Sequence, residues 1–104
     1  MISSLEKLLG TPRDGALLRY SLGLEYAKAG EHARAIEFLR EAVARDPLYS
    51  AAWKALGGEL AQEGLTSEAL DAYRRGIEAA QKKGDKQAEK EMTVFARRLE
   101  KKRT

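Results

Sequence analysis

The chain has no cysteine among its 104 residues. That absence removes disulfide staples, thiolate metal sites and cysteine nucleophiles together. Only one histidine is present, His32, which leaves little material for a metal centre or for proton transfer near neutral pH. Two prolines and few β-branched residues give strand-rich folds little support. No window approaches the roughly 18 uncharged apolar residues of a membrane helix. Met1 to Gly10 is also too short, and with Glu6 and Lys7 too charged, for a secretory signal. The expectation is a cytoplasmic protein, without cofactor, metal or membrane partner, that holds its fold by packing alone.

What is present favours helix. Apolar residues make up 43% of the chain, supplied mostly by Ala and Leu, and Glu, Lys and Arg fill much of the remainder. The net charge of +3 is unevenly spread: residues 1–73 carry 8 Lys/Arg against 11 Asp/Glu, and residues 74–104 carry 11 against 5. A basic end of this kind suits a solvated terminal helix, an acidic partner or nucleic acid.

Two stretches share one grammar of small residues. Leu22-Gly23 recurs as Leu56-Gly57, Glu25 as Glu59, Ala27 as Ala61, Gly30 as Gly64, Ala35 as Ala69 and Arg40 as Arg74, always 34 residues on. Repeats of this length are usually helix pairs that cannot bury their apolar faces alone and therefore stack.

Helical spacing and stop signals place the elements. Ser3 or Ser4, with Glu6 as the far side of a capping box, predicts a short helix ending at Gly10-Thr11-Pro12, with Ile2, Leu5, Leu8 and Leu9 on one face. A second runs from Asp14, its expected N-cap, to Ala29, with Leu18, Leu22, Tyr26 and Ala29 inward. Ala33–Arg45 follows, with Ala35, Ile36, Leu39, Ala42 and Val43 inward, and Asp46-Pro47 closes it. The second hairpin spans Ser50–Gln62 and Ser67–Lys83, with Trp53, Leu56, Gly57 and Leu60 facing Ala69, Leu70, Tyr73, Gly76 and Ile77. Beyond Gly84-Asp85, Lys86–Lys102 carries a narrow stripe of Ala88, Met92, Phe95, Ala96 and Leu99, as a terminal cap needs.

These residues resemble the tetratricopeptide repeat. Residues 16–49 supply Leu22-Gly23, Tyr26, Ala35, Leu39, Ala42 and Pro47, with Arg19 where a large aromatic is expected. Residues 50–83 supply Trp53, Leu56-Gly57, Leu60, Ala69, Tyr73 and Gly76, with Gln81 in place of the proline. Residues 1–10 and 85–103 would be the terminal helices of a single domain. The resemblance implies an all-α, right-handed stack of antiparallel helix hairpins, an α-solenoid. It implies a non-catalytic adaptor, monomeric or weakly self-associating, that binds a protein or peptide in a concave groove. The groove residues it implies are Leu17, Tyr20, Leu24 and Lys28, then Lys54, Gly58 and Gln62, then Glu89 and Thr93. The Lys, Asn and Arg clamp by which one subclass grips the carboxylate end of chaperone tails is not present in recognisable form. Tyr20, Leu24 and Gly58, then Lys86 or Asp85 and Glu89 or Lys90, occupy its places, and only Lys54 and Lys86 offer cations.

Chemistry has few other candidates. His32 starts a second helix and reads as an exposed surface residue. Glu37 and Glu41 sit among Arg34, Arg40 and Arg45 and read as surface ion pairs. Leu56-Gly57-Gly58-Glu59 lacks the spacing and lysine of a phosphate loop. Gly57 reads as a packing glycine, whereas Gly58 either leaves room for a ligand or is locally tolerated. Arg97, Arg98, Lys101, Lys102 and Arg103 cluster, but Phe95 and Leu99 are claimed by docking and no exposed aromatic interleaves the charges, so specific nucleic-acid readout is not expected. The stripe of Leu17, Tyr20 and Leu24 is either covered by Leu5, Leu8 and Leu9 or open to a peptide. Alternative readings are a self-associating structural module and a weak electrostatic binder of RNA or acidic proteins through the last helix.

Overall fold

The computed structural model describes residues 1–103. Six helices follow one another: α1 Ile2–Glu6, α2 Ala16–Lys28, α3 His32–Arg45, α4 Ser50–Gln62, α5 Thr66–Lys83 and α6 Lys86–Arg103. The α2–α3 and α4–α5 pairs are antiparallel hairpins joined by turns of a few residues, and α6 lies against α5. Gly30, Gly64 and Gly84 take φ of 79°, 77° and 72°. Their left-handed backbone lets the amides of Glu31, Leu65 and Asp85 reach back to the carbonyls of Tyr26, Leu60 and Ala80 at 2.8–2.9 Å, which closes each helix.

Two expected caps are not formed. Asp14 does not cap α2. Its carboxylate accepts from the Gly10 amide at 2.9 Å and from Arg19 at 2.7 and 3.0 Å, and Gly15 takes the cap position. Nor do Ser3 and Glu6 build a capping box, because α1 begins at Ile2 with Met1 before it. Glu6 instead accepts a 2.6 Å hydrogen bond from the Tyr26 hydroxyl and ties α1 to α2.

The core forms two clusters. Leu18, Leu22, Tyr26, Ala35 and Phe38 make the first, closed by Ile2, Leu5, Leu8 and Leu9 of the N-terminal segment. Phe38, absent from the expected inward face of α3, stacks on Tyr26 at 5.5 Å. Ala29 moves the other way and is exposed just after α2. The second cluster joins Leu39, Ala42 and Val43 to Trp53, Leu56, Leu60, Leu70, Tyr73, Met92 and their small neighbours.

Glycine permits the closest approaches. A Cβ on Gly57 would lie 2.5 Å from the Tyr73 ring, one on Gly23 2.7 Å from Leu39, and one on Gly76 2.7 Å from the Trp53 Cβ. The Trp53 indole is 8% exposed and donates to the Pro47 carbonyl at 2.8 Å. Its N–H is thereby satisfied inside an apolar contact.

The array curves. α4 touches both α2 and α6, whereas α3 and α5 are bridged by the long Arg40 and Glu68 side chains and not by close backbone packing. The first helices therefore line the inner side and the second helices splay on the outer. α6 uses Ala88, Met92 and Ala96 for its buried side, while Lys86, Lys90, Val94 and Arg97 lie exposed on its outer flank.

Candidate functional groove

On the inner side, helical spacing aligns Leu17, Tyr20 and Leu24 along α2. Leu17 is 67% exposed. Tyr20 is half-buried against the Tyr49 ring, 4.9 Å away, and Leu24 is half-buried. The cover allowed for in Leu5, Leu8 and Leu9 falls on the other flank of α2, over Leu18, Leu22 and Tyr26. Lys28 is exposed and pairs loosely with Glu25 at 3.4 Å.

The α4 positions differ in chemistry from their expected roles. The Lys54 ammonium lies 2.7 Å from a Glu91 oxygen, and Gln87 donates to the other oxygen at 3.1 Å. These donors hold the Glu91 carboxyl below the usual carboxylate range, so Lys54 is not a spare cation. Gly58 is exposed, and a Cβ there would meet only the Tyr73 hydroxyl, at 3.9 Å. Gln62 is exposed at the end of α4.

The register of α6 sets Glu89 and Thr93 apart from Lys54. Glu89 faces α5, where it accepts from Gln81 at 3.0 Å, and Thr93 donates to the Glu89 carbonyl at 2.8 Å. With Lys86, Lys90, Val94 and Arg97 they line one surface hollow of α6, whereas Lys54 of α4 meets Glu91. The residues that α6 turns toward α4 are Gln87, Glu91, Phe95 and Arg98, spaced four and three apart. The opposite charge that Lys54 requires is a sequence signal for the α6 residue facing α4, and Glu91 supplies it.

Phe95 brings a further correction. It is 38% exposed, its ring tilted against Tyr73 with centroids 6.0 Å apart, so an aromatic does stand among the basic residues. Ala61, Tyr73, Phe95, Arg98, Leu99 and Lys102 surround a shallow cavity of about 150 Å³ at the C-terminal end of the groove.

His32 is also not a free surface residue. Its Nδ1 lies 2.6 Å from Glu59, joining α3 to α4, and that carboxylate raises the imidazole pKa. Glu41 pairs with Arg19 at 2.6 Å, Arg40 with Glu68 at 2.9 Å and Arg34 with Glu6 at 3.4 Å. The surface pairing is real, but its partners come from other helices. Among the described residues no group of three His, Asp or Glu is placed to hold a metal ion, and no helix is long and apolar enough to cross a membrane.

Comparison with known proteins agrees with this geometry. Residues 16–58 match the sequence profile of the tetratricopeptide repeat. A TPR repeat-containing protein of Pseudomonas aeruginosa is 49% identical over 104 residues, covering 100% of this chain and 99% of that one. The solution structure of a Bordetella parapertussis protein superposes with a TM-score of 0.83 at 41% identity, over 98% of this chain and 89% of the other. That of a tetratricopeptide repeat domain protein from Salinibacter ruber gives 0.79 at 30% identity, over 86% and 89%. With two hairpins stacked through small residues and a relative matched along its whole length, the chain belongs to the tetratricopeptide repeat family.

Proposed function

We propose that this chain is a non-catalytic adaptor that holds a peptide or protein segment along the groove formed by α2, α4 and α6. Membership of the family points to a protein–protein interaction module. The observation that carries the groove reading is the open α2 stripe. Leu17 stands exposed beside Tyr20 and Leu24, and α1 closes the opposite flank. An apolar side chain kept in water across a curved face is suited to an anchor from a partner. Gly58 keeps the groove floor bare in mid-helix, where Ala would favour the helix by about 1 kcal/mol.

Short peptides selected from a random displayed library on the full chain provide the test. Leu17→Asp should weaken their binding, read by fluorescence anisotropy, by about thirtyfold, the equivalent of 2 kcal/mol at an anchor. Helicity and melting should be unchanged, because Leu17 belongs to neither buried cluster. Full affinity in the folded variant would place binding on another face.

A further inference from the structure

The C-terminal end of the groove has a chemistry of its own. Phe95, Leu99 and Ala61 form apolar walls, and Tyr73 lies at the base. The Tyr73 hydroxyl points toward Gly58, which has no side chain to cover it. Burial raises the pKa of this phenol, so at neutral pH it is a hydrogen-bond donor. Arg98 and Lys102 stand on the rim, four residues apart on one face of α6. Among the described residues neither has a carboxylate partner. In the same groove Lys54 is already neutralised by Glu91. Arg98 and Lys102 thus stand beside Phe95, the one exposed aromatic ring among the described residues.

We propose that this notch is the specificity site of the groove and takes an acidic peptide segment with a large apolar anchor. The anchor lies against Phe95 and Leu99, flanking carboxylates pair with Arg98 and Lys102, and a peptide carbonyl or carboxylate accepts from the Tyr73 hydroxyl. A desolvated apolar anchor ringed by complementary charge combines affinity with selection against basic partners. The proposal rests on the groove reading above and names the partner's chemistry. A nucleic acid fits less well. Glu91 continues the Phe95–Arg98 stripe toward the N-terminus of α6, and Arg97 lies on a different flank, so the cations make no continuous track for a phosphate backbone.

The displayed-peptide selection distinguishes the outcomes. Peptides retained by the full chain should be enriched in Leu, Ile or Phe flanked by Asp and Glu. The double change Arg98→Glu with Lys102→Glu should weaken them at least about tenfold, and raising salt should weaken wild-type binding. Both side chains are exposed, so melting should not move. Phe95→Ala should lose a similar factor, with unchanged salt dependence. A pool without acidic enrichment, or one bound equally by the charge-reversed variant, overturns the notch. If that pool still depends on Leu17, the groove reading stands without it. An acidic pool sensitive to Arg98 and Lys102 but indifferent to Leu17→Asp would support the notch and overturn the α2 anchor. An empty selection overturns both. Tighter binding of oligouridylate than of the selected peptides, lost in the same double variant, would replace the acidic peptide with RNA.

Discussion

The two hairpins solve the same packing problem with different residues. In α4–α5, Gly57 admits the Tyr73 ring and the slot one turn earlier holds a buried indole, Trp53. In α2–α3, Gly23 admits Leu39, and the slot of Trp53 is taken by Arg19. The Arg19 guanidinium lies 6.0 Å over the Phe38 ring and pairs with Asp14 and Glu41 at 2.7 and 2.6 Å. The second hairpin has helices on both sides, α3 and α6, so its slot is nearly closed, with the Trp53 ring under the Arg75 guanidinium at 5.9 Å, and rewards a large aromatic. The first has only the five-residue α1 beyond it. Its slot opens to water at the Glu41 side, and a stem with a charged head covers the ring while its ion pairs satisfy the charge.

The difference sets a scale of effects. Trp53→Ala should be the most damaging, lowering unfolding free energy in urea by about 3–5 kcal/mol. The same protein offers a spectroscopic check, since wild-type fluorescence from its single tryptophan should be blue-shifted from that of indole in water. An emission maximum at the aqueous position would mean that the second hairpin is no drier than the first.

Adjacent glycines sharpen the contrast within one turn of helix. Gly57→Ala forces a methyl into the Tyr73 ring and should destabilise by about 1–3 kcal/mol. Gly58→Ala meets open space and should stabilise by up to about 1 kcal/mol. Thermal melts of the two variants moving in the same direction would contradict the packing described for α4 and α5.

A smaller loss is expected from Arg19→Ala, and the part that comes from the exposed Glu41 arm should disappear in high salt, which leaves the cost of Trp53→Ala nearly untouched. Arg19 holds the Asp14 carboxyl well below the usual range. The stability from this pair is present above the unfolded carboxyl pKa and lost as pH falls through the folded one. Equal salt sensitivity of the two variants would remove the distinction between an open slot and a nearly closed one.

The smallest effect separates the two junctions. His32 has its pKa raised by Glu59, so the α3–α4 bridge contributes below the unfolded imidazole pKa, near 6.5, and is lost as pH rises through the folded value. Glu91 has its pKa lowered by Lys54, so the α4–α6 bridge contributes above the unfolded carboxyl pKa and is lost as pH falls. His32→Ala should flatten the neutral-to-alkaline limb of a melting-versus-pH curve, and Glu91→Gln the acidic limb. Interchanged limbs would refute both assignments.

The fold was legible because its signals are local and repeated. A small residue at 23 and again at 57, and a turn glycine at 30 and again at 64, each require a backbone feature that few alternatives satisfy. The site was less legible because groove positions are defined by rotation about each helix. The two repeats give α2 and α4 a common phase, which is why Leu17, Tyr20 and Leu24 read as one stripe along α2. The last helix has no repeat partner to fix its phase, so the contact of Glu91 with Lys54 is not legible in the pattern that suggests Glu89 and Thr93. Pairings across helices, such as His32 with Glu59, leave no periodic trace at all. Tyr49 was missed for a related reason, since it lies before α4 begins and reaches Tyr20 from outside the helical pattern.

The outer flank of α6 bears on how far such an array can grow. A stack of hairpins is in principle an open-ended polymer, because each added unit recreates the surface on which the next one docks. On α4 the flank turned toward α5 is nearly flat at Gly57 and apolar at Trp53 and Leu60. On α6 the solvent flank presents Lys86, Lys90 and Arg97 around Val94, so an incoming helix would have to strip water from three cations. End-to-end stacking that brought two such flanks together would also set like charges against each other. A helix that docked on this flank would need carboxylates of its own opposite Lys86, Lys90 and Arg97, a demand that the apolar flank of α4 does not make.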